Sequence, residues 1–138
     1  MTGPHETPRR WPQLVILGVG TLLAMAPSFS ASAVAPLLRT DWAIGPLDLA
    51  WLTVVTQLGF AAGALGLAVL GAPDVIPGPR LFAGGAFVAA IANLGFALLA
   101  TDVASAIPFR LLTGAALAAV YPVAMKLAAG WFKRERGL

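Results

Sequence analysis

Cysteine is absent from this chain of 138 residues, histidine occurs once, and charged residues make up only 11%. Each shortage removes a class of chemistry. Without thiols there is no disulfide and no thiolate metal site, and His5 lies in a polar amino-terminal stretch with no second ligand near it in sequence. No catalytic serine, no catalytic histidine and no paired carboxylates can be recognised, so the expectation is a protein that is not an enzyme and uses no metal and no cofactor. Gly18-Val-Gly20 follows no strand pattern, and no Gly-Lys-Ser/Thr phosphate loop occurs, which leaves no nucleotide fingerprint. The scarcity of charge is equally informative. A soluble domain carries about a quarter charged residues to hydrate its outer face, so the outer face here is expected to be lipid.

What is present fits that solvent. Hydrophobic residues make up 59% of the chain, with a mean hydropathy of +0.85. Crossing a hydrocarbon core takes about 20 apolar residues, and four runs qualify, at 13–38, 47–71, 81–100 and 104–132. RTDWAIGP, APDVIPGPR and TDVAS punctuate them; connections this short set successive helices antiparallel. The expected fold class is therefore an all-α membrane protein of four antiparallel transmembrane helices, preceded by a tail at 1–12 and followed by the start of a loop at 133–138.

Basic residues decide orientation. A pI near 10.2 could indicate nucleic acid, but Lys and Arg sit at the edges of the apolar runs and form no stripe, so no nucleic-acid partner is expected. Arg9, Arg10, Arg80, Lys133, Arg134 and Arg136 fall on one side of the four spans and only Arg39 on the other. The positive-inside rule then places both termini in the cytoplasm. Trp11, Trp42, Trp51 and Trp131 lie at span ends, where indoles favour the headgroup layer. Arg9-Arg10, the apolar run and Ala31-Ser32-Ala33 also read as a secretory signal with a cleavage site, but three further spans follow at once.

In lipid, helices associate through small residues and shared polar groups. Gly59 and Gly63 supply a small-residue face on the second span and Gly114 one on the fourth. Pro27 and Pro36 bracket Ser28, Ser30 and Ser32 on the first. These serines either bond their own helix backbone or line a solute path, and Gln57, Asn93 and Tyr121 permit the same two readings, the first and second as cross-links between helices.

Arg110 lies eight residues beyond Asp102, roughly 12 Å along a helix. A central arginine costs about 2.5–3.5 kcal/mol to insert, and intramembrane ionisable groups face a bundle interior or a cavity; the alternative is snorkelling to the outer surface past Pro108 and Phe109. Lys126, close to Trp131, is expected to snorkel to the cytoplasmic side.

Arg110-Leu-Leu-Thr-Gly114-Ala-Ala, Tyr121-Pro122 and Trp131-Phe132 with Glu135-Arg136-Gly137 together resemble the fourth helix of the major facilitator superfamily and the turn after it. Thr113 stands where the family commonly has an amide-bearing residue. The family's signature between helices two and three is only partly matched by Gly71-Ala-Pro-Asp74-Val-Ile-Pro-Gly78-Pro-Arg80: Asp74 comes one place early, Val75 occupies a basic position, and Arg80 stands alone. In the family this loop meets the carboxyl-terminal half and helps gate it, which would make Asp74, Gly78 and Arg80 gating residues.

The resemblance implies the amino-terminal part of a secondary transporter, helices one to four, inactive alone and requiring the missing carboxyl-terminal helices. It would sit in the lipid bilayer, in a bacterial cytoplasmic membrane. Its partner would be a small-molecule solute, an anion among the candidates, met by Arg110, Thr113, Gln57, Asn93, Ser28, Ser32 and Tyr121. Two rivals remain: a noncatalytic membrane assembly protein, and a dimeric four-helix exporter of the small multidrug resistance type. The latter needs an intramembrane carboxylate, whereas Asp41, Asp48, Asp74 and Asp102 fall in or beside the loops.

Overall fold

The computed structural model describes residues 10–131, and these are all-helical. The elements are α1 (Arg10–Ala33), α2 (Ala35–Asp41), α3 (Pro46–Val69), α4 (Ala72–Val75), α5 (Gly78–Leu99), α6 (Val103–Leu117) and α7 (Tyr121–Trp131). Four helical stretches are long and apolar enough to cross a membrane: Trp11–Ala33, Pro46–Val69, Gly78–Leu99 and Val103–Gly130, the last combining α6 and α7. The chain reads as an integral, multi-pass membrane protein. The expected tail before Arg10, and the residues from Phe132 onward with their Glu135-Arg136-Gly137 motif, lie outside the described residues.

Two of the expected spans are interrupted. The sequence reading runs the first unbroken over 13–38, but α1 ends at Ala33 and the helix restarts as α2 after Val34. Pro36 stands in the first turn of α2, where its missing N–H is harmless and its effect on the preceding residue favours a break. The reading over 104–132 is likewise broken at 118–120. Pro122 cannot donate to the Ala118 carbonyl. The chain tightens ahead of it, with Ala119 N donating to Ala116 O at 3.1 Å and Val120 N to Leu117 O at 3.0 Å.

Local chemistry fixes the other ends. Gly45 N donates to Asp48 Oδ2 at the start of α3. Gly71 ends that helix at φ +59°, a left-handed conformation open to glycine without strain. Asp102 caps α6: its Oδ1 accepts from Ser105 N at 2.7 Å and from Ser105 Oγ. The Ser105 hydroxyl first, and its backbone N–H second, hold the Asp102 carboxyl below the usual carboxylate range. The folded pKa being depressed, the cap's contribution is complete above the unfolded value and is lost as pH falls through the folded one. Amide exchange at Val103–Ser105 should accelerate on acidification below the normal carboxylate range; exchange independent of pH, after correction for its intrinsic rate, would show that the cap does not hold this turn.

Packing confirms alternating directions. Ala31, Leu52, Phe96 and Ala106 form a buried cluster that joins the end of α1, the start of α3, the end of α5 and the start of α6. At the opposite end Leu81, Ala119 and Val123 meet Leu67 and Leu127. The centre of the bundle is α6, flanked by α3 and α5. Its neighbours approach closely because small residues face it. A Cβ on Gly63 would stand 2.5 Å from Ala115 O, and one on Gly85 2.7 Å from Ala116 O. Gly59 faces the Leu111 backbone, and Gly114 faces Thr56 O and Phe60 N. By contrast, Ala31 is the one buried residue of 11–33, so α1 adheres by little packed surface.

Orientation is open to a direct test, since the chain has no cysteine. A cysteine introduced at Thr101 should react with an impermeant maleimide from outside intact cells, and one at Gly78 should not; the inverse labelling pattern would reverse the orientation expected from the basic residues.

Candidate polar clamp and adjoining cavity

The deepest polar feature is Arg110, 0% exposed and on the face of α6 that meets α1. Its Nη1 donates to Pro27 O and to Ser30 Oγ, each at 3.0 Å, and Nη2 donates to Ser28 O at 2.8 Å. A planar fork can serve adjacent carbonyls in this way, and each carbonyl has a second lone pair beyond its helical bond. The guanidinium also lies 5.3 Å from the Phe96 ring centroid, within range of the attraction between a cation and the negative ring face. Phe96 in turn meets Trp42 edge to face. Among the described residues Arg110 meets no carboxylate, and Nε is buried without a hydrogen-bond partner.

Ser30 extends the clamp to α5. Its Oγ lies 2.6 Å from Asn93 Oδ1 and 2.8 Å from Pro27 O, but it has one proton. Pro27 O already accepts from Arg110, so the proton is best used by Asn93. The chain Arg110, Ser30, Asn93 thus links α6, α1 and α5. Arg110 does not snorkel outward.

Beside the clamp lies a cavity of about 380 Å³ between α1, α3 and the α6–α7 pair. Its polar lining comes from Ser28, Ser32, Thr53, Thr56, Gln57 and Tyr121; Met25, Phe29, Phe60 and Leu117 supply apolar walls, with Gly114 at the α6 side. Ser28 belongs to both features, its carbonyl accepting in the clamp and the residue lining the cavity. No protein-family model, curated protein or solved structure matches the chain. The geometry and the sequence pattern therefore carry the reading of the site.

That geometry divides the residues expected from sequence. Ser28, Ser32, Gln57 and Tyr121 line the cavity; Arg110 and Asn93 lie in the clamp; Thr113 does neither, being 0% exposed with its hydroxyl donating to Phe109 O at 2.8 Å. Asn93 cross-links helices, whereas Gln57 does not and instead lines the cavity. Thr53, Thr56 and Phe60 were not singled out from the sequence. With Gln57 they occupy positions i, i+3, i+4 and i+7 of α3, one helical face, and that spacing could have revealed them.

Asp74, Gly78 and Arg80 lie at the far end of the bundle. Asp74 is exposed and 3.9 Å from Lys126 Nζ, which also donates to Pro73 O at 3.4 Å. Lys126 is thus exposed at this end and tied to the α4 loop. Gly78 packs toward Val123 and Leu127, and Arg80 is exposed. A pair this exposed contributes about 0–1 kcal/mol. Among the described residues no group of three His, Cys, Asp or Glu could hold a metal ion.

Proposed function

We propose that these helices are the amino-terminal part of a secondary active transporter of the major facilitator type, moving a small solute by alternating access. The observation that carries the reading is a half-open cavity among membrane-crossing helices, mostly apolar but with hydroxyl and amide residues in its wall, next to a fully buried arginine. Hydroxyl and amide groups at membrane depth are tolerated where they face protein or a wet path. The lining comes from α1, α3, α6 and α7, with none from α5, as suits a bundle that presents one face to a second half and keeps another helix at the periphery. The Arg110 to Gly114 spacing and Tyr121-Pro122 support the same reading. In transporters of this architecture the solute sits between two halves that rock against each other, so the bilayer and further carboxyl-terminal helices are the partners. The proposed setting is a bacterial cytoplasmic membrane with both termini inside.

Reconstitution tests this. Purified residues 1–138 in liposomes should give no saturable solute flux above empty vesicles, while native membranes should contain these residues in a longer polypeptide that does. Saturable flux from residues 1–138 alone, abolished by Arg110→Ala, would overturn the reading in favour of a self-assembling four-helix exporter.

A further inference from the structure

We infer that the cavity between α1, α3 and α6–α7 takes an uncharged solute combining an apolar ring or chain with hydrogen-bonding groups, and not an anion. The inference rests on the transporter reading for its biological meaning, but its physical basis is the lining. Among the described residues no Asp, Glu, Lys or Arg lines the cavity. Arg110, which reaches the carbonyl of the lining residue Ser28, is 0% exposed. Three of its five N–H groups are committed to Pro27 O, Ser28 O and Ser30 Oγ, and the unpartnered Nε is itself buried. A carboxylate entering this space would lose its hydration without gaining a counterion; a quaternary ammonium would find aromatic side chains at Phe29, Phe60 and Tyr121 but no carboxylate to balance it.

The polar groups that remain define what can bind. Ser28 Oγ donates to Met25 O at 2.7 Å and Thr56 Oγ1 to Leu52 O at 2.9 Å. Their protons are used within their own helices, leaving the oxygens as acceptors. Gln57 and Tyr121 form no hydrogen bond with the described residues; one offers an amide and the other a phenol, each able to donate and to accept. Facing them are the rings of Phe29 and Phe60. Free donors and acceptors beside aromatic walls suit a neutral amphipathic molecule, and the volume lies within the range of small-molecule sites.

Three matched fluorescent probes separate the classes: 2-naphthyl β-glucoside, its glucuronide, and 2-naphthyl-trimethylammonium, titrated against the 138-residue chain in zwitterionic lipid nanodiscs with empty discs subtracted. The glucoside should bind saturably and the glucuronide at least about tenfold more weakly; the ammonium, attracted by aromatic walls but balanced by no carboxylate, should fall between them. Gln57→Leu and Tyr121→Phe should each weaken glucoside binding about fivefold, as expected for one lost hydrogen bond. Both variants must retain wild-type helicity and melting temperature to enter the comparison; Gln57→Glu, which keeps the shape and the acceptor but loses the amide donor, provides a third and should weaken glucoside binding no more than Gln57→Leu. Glucuronide binding as tight as that of the glucoside, and sensitive to Gln57→Leu, would overturn the uncharged class while leaving a solute site in place. No saturable binding, or binding indifferent to all three substitutions, would overturn the site itself. Glucoside binding in this pattern, without flux from any longer product, would uphold the solute class and count against the transporter reading alone.

Discussion

Gly114→Leu should part α3 from α6 and leave the chain unable to maintain its bundle. A Cβ on Gly114 would run into Thr56 O and Phe60 N, and both are backbone atoms that cannot rotate away as a side-chain tip can. Any Cβ forces the two helices apart. Overpacking a core typically costs about 1–3 kcal/mol, and displacement of a whole helix places this case at or above the upper end. The separation also strips neighbouring contacts at Gly59 and Gly63, which face the Leu111 and Ala115 backbones. Gly84→Ala is the matched comparison: a Cβ there meets nothing within 4 Å, and the change from glycine to alanine in a helix interior favours the helix by about 0.8–1.0 kcal/mol. In a detergent melting assay Gly114→Leu should lose its cooperative transition, while Gly84→Ala melts at or above the wild-type temperature. Equal melting of the two would show that the close approach of α3 and α6 does not hold the bundle.

Arg110→Met should release α1. The fork makes three charge-assisted hydrogen bonds to this helix, each worth about 1.5–3 kcal/mol, but the substitution also relieves the burial of a charge that meets no carboxylate. The balance is a net loss of about 2–4 kcal/mol. Pro27 O and Ser28 O have helical partners, so losing the arginine need not orphan them, which tempers the effect. Arg110→Lys should recover about half or less of the loss, because one ammonium cannot span adjacent carbonyls while remaining over the Phe96 ring. Melting curves for the three proteins give the order wild type, Lys, Met. In a transporting protein, lost uptake with unaltered abundance and melting would assign the arginine to the solute instead of to α1.

Much of this architecture was legible because lipid imposes simple demands. Span length, loop punctuation and the small residues at Gly59, Gly63 and Gly114 follow from the need to satisfy backbone groups internally and to bring helices close without a hydrophobic drive. Pro36 and Pro122 are equally visible, yet they do not by themselves specify breaks at Val34 and at 118–120, since proline is tolerated within membrane helices when neighbours accept the freed groups. Arg110 announced itself as buried. Its acceptors could not be read, because carbonyls of α1 become a site only when α6 lies beside them, and every residue has a carbonyl. Ser30 is legible only as one of three like serines for the same reason: nothing local distinguishes it from Ser28 or Ser32, and only the approach of Asn93 and Arg110 gives it its role. Thr53, Thr56 and Phe60 form a lining only where α1 and α7 enclose the same face of α3.

The span of chain across the clamp also orders events during synthesis. Arg110 and Ser28 are 82 residues apart. At about 5–20 residues per second the arginine leaves the ribosome roughly 4–16 s after its acceptors. The helix carrying Pro27 and Ser28 is therefore made well before the one that needs it. Arg110, the costliest residue of its span to bring into lipid, is translated into a membrane where carbonyls that can receive it have already been supplied, and insertion of the fourth span becomes conditional on retention of the first. Deleting residues 13–33 should accordingly reduce membrane integration of the segment containing Arg110, and the defect should largely vanish when that residue is leucine.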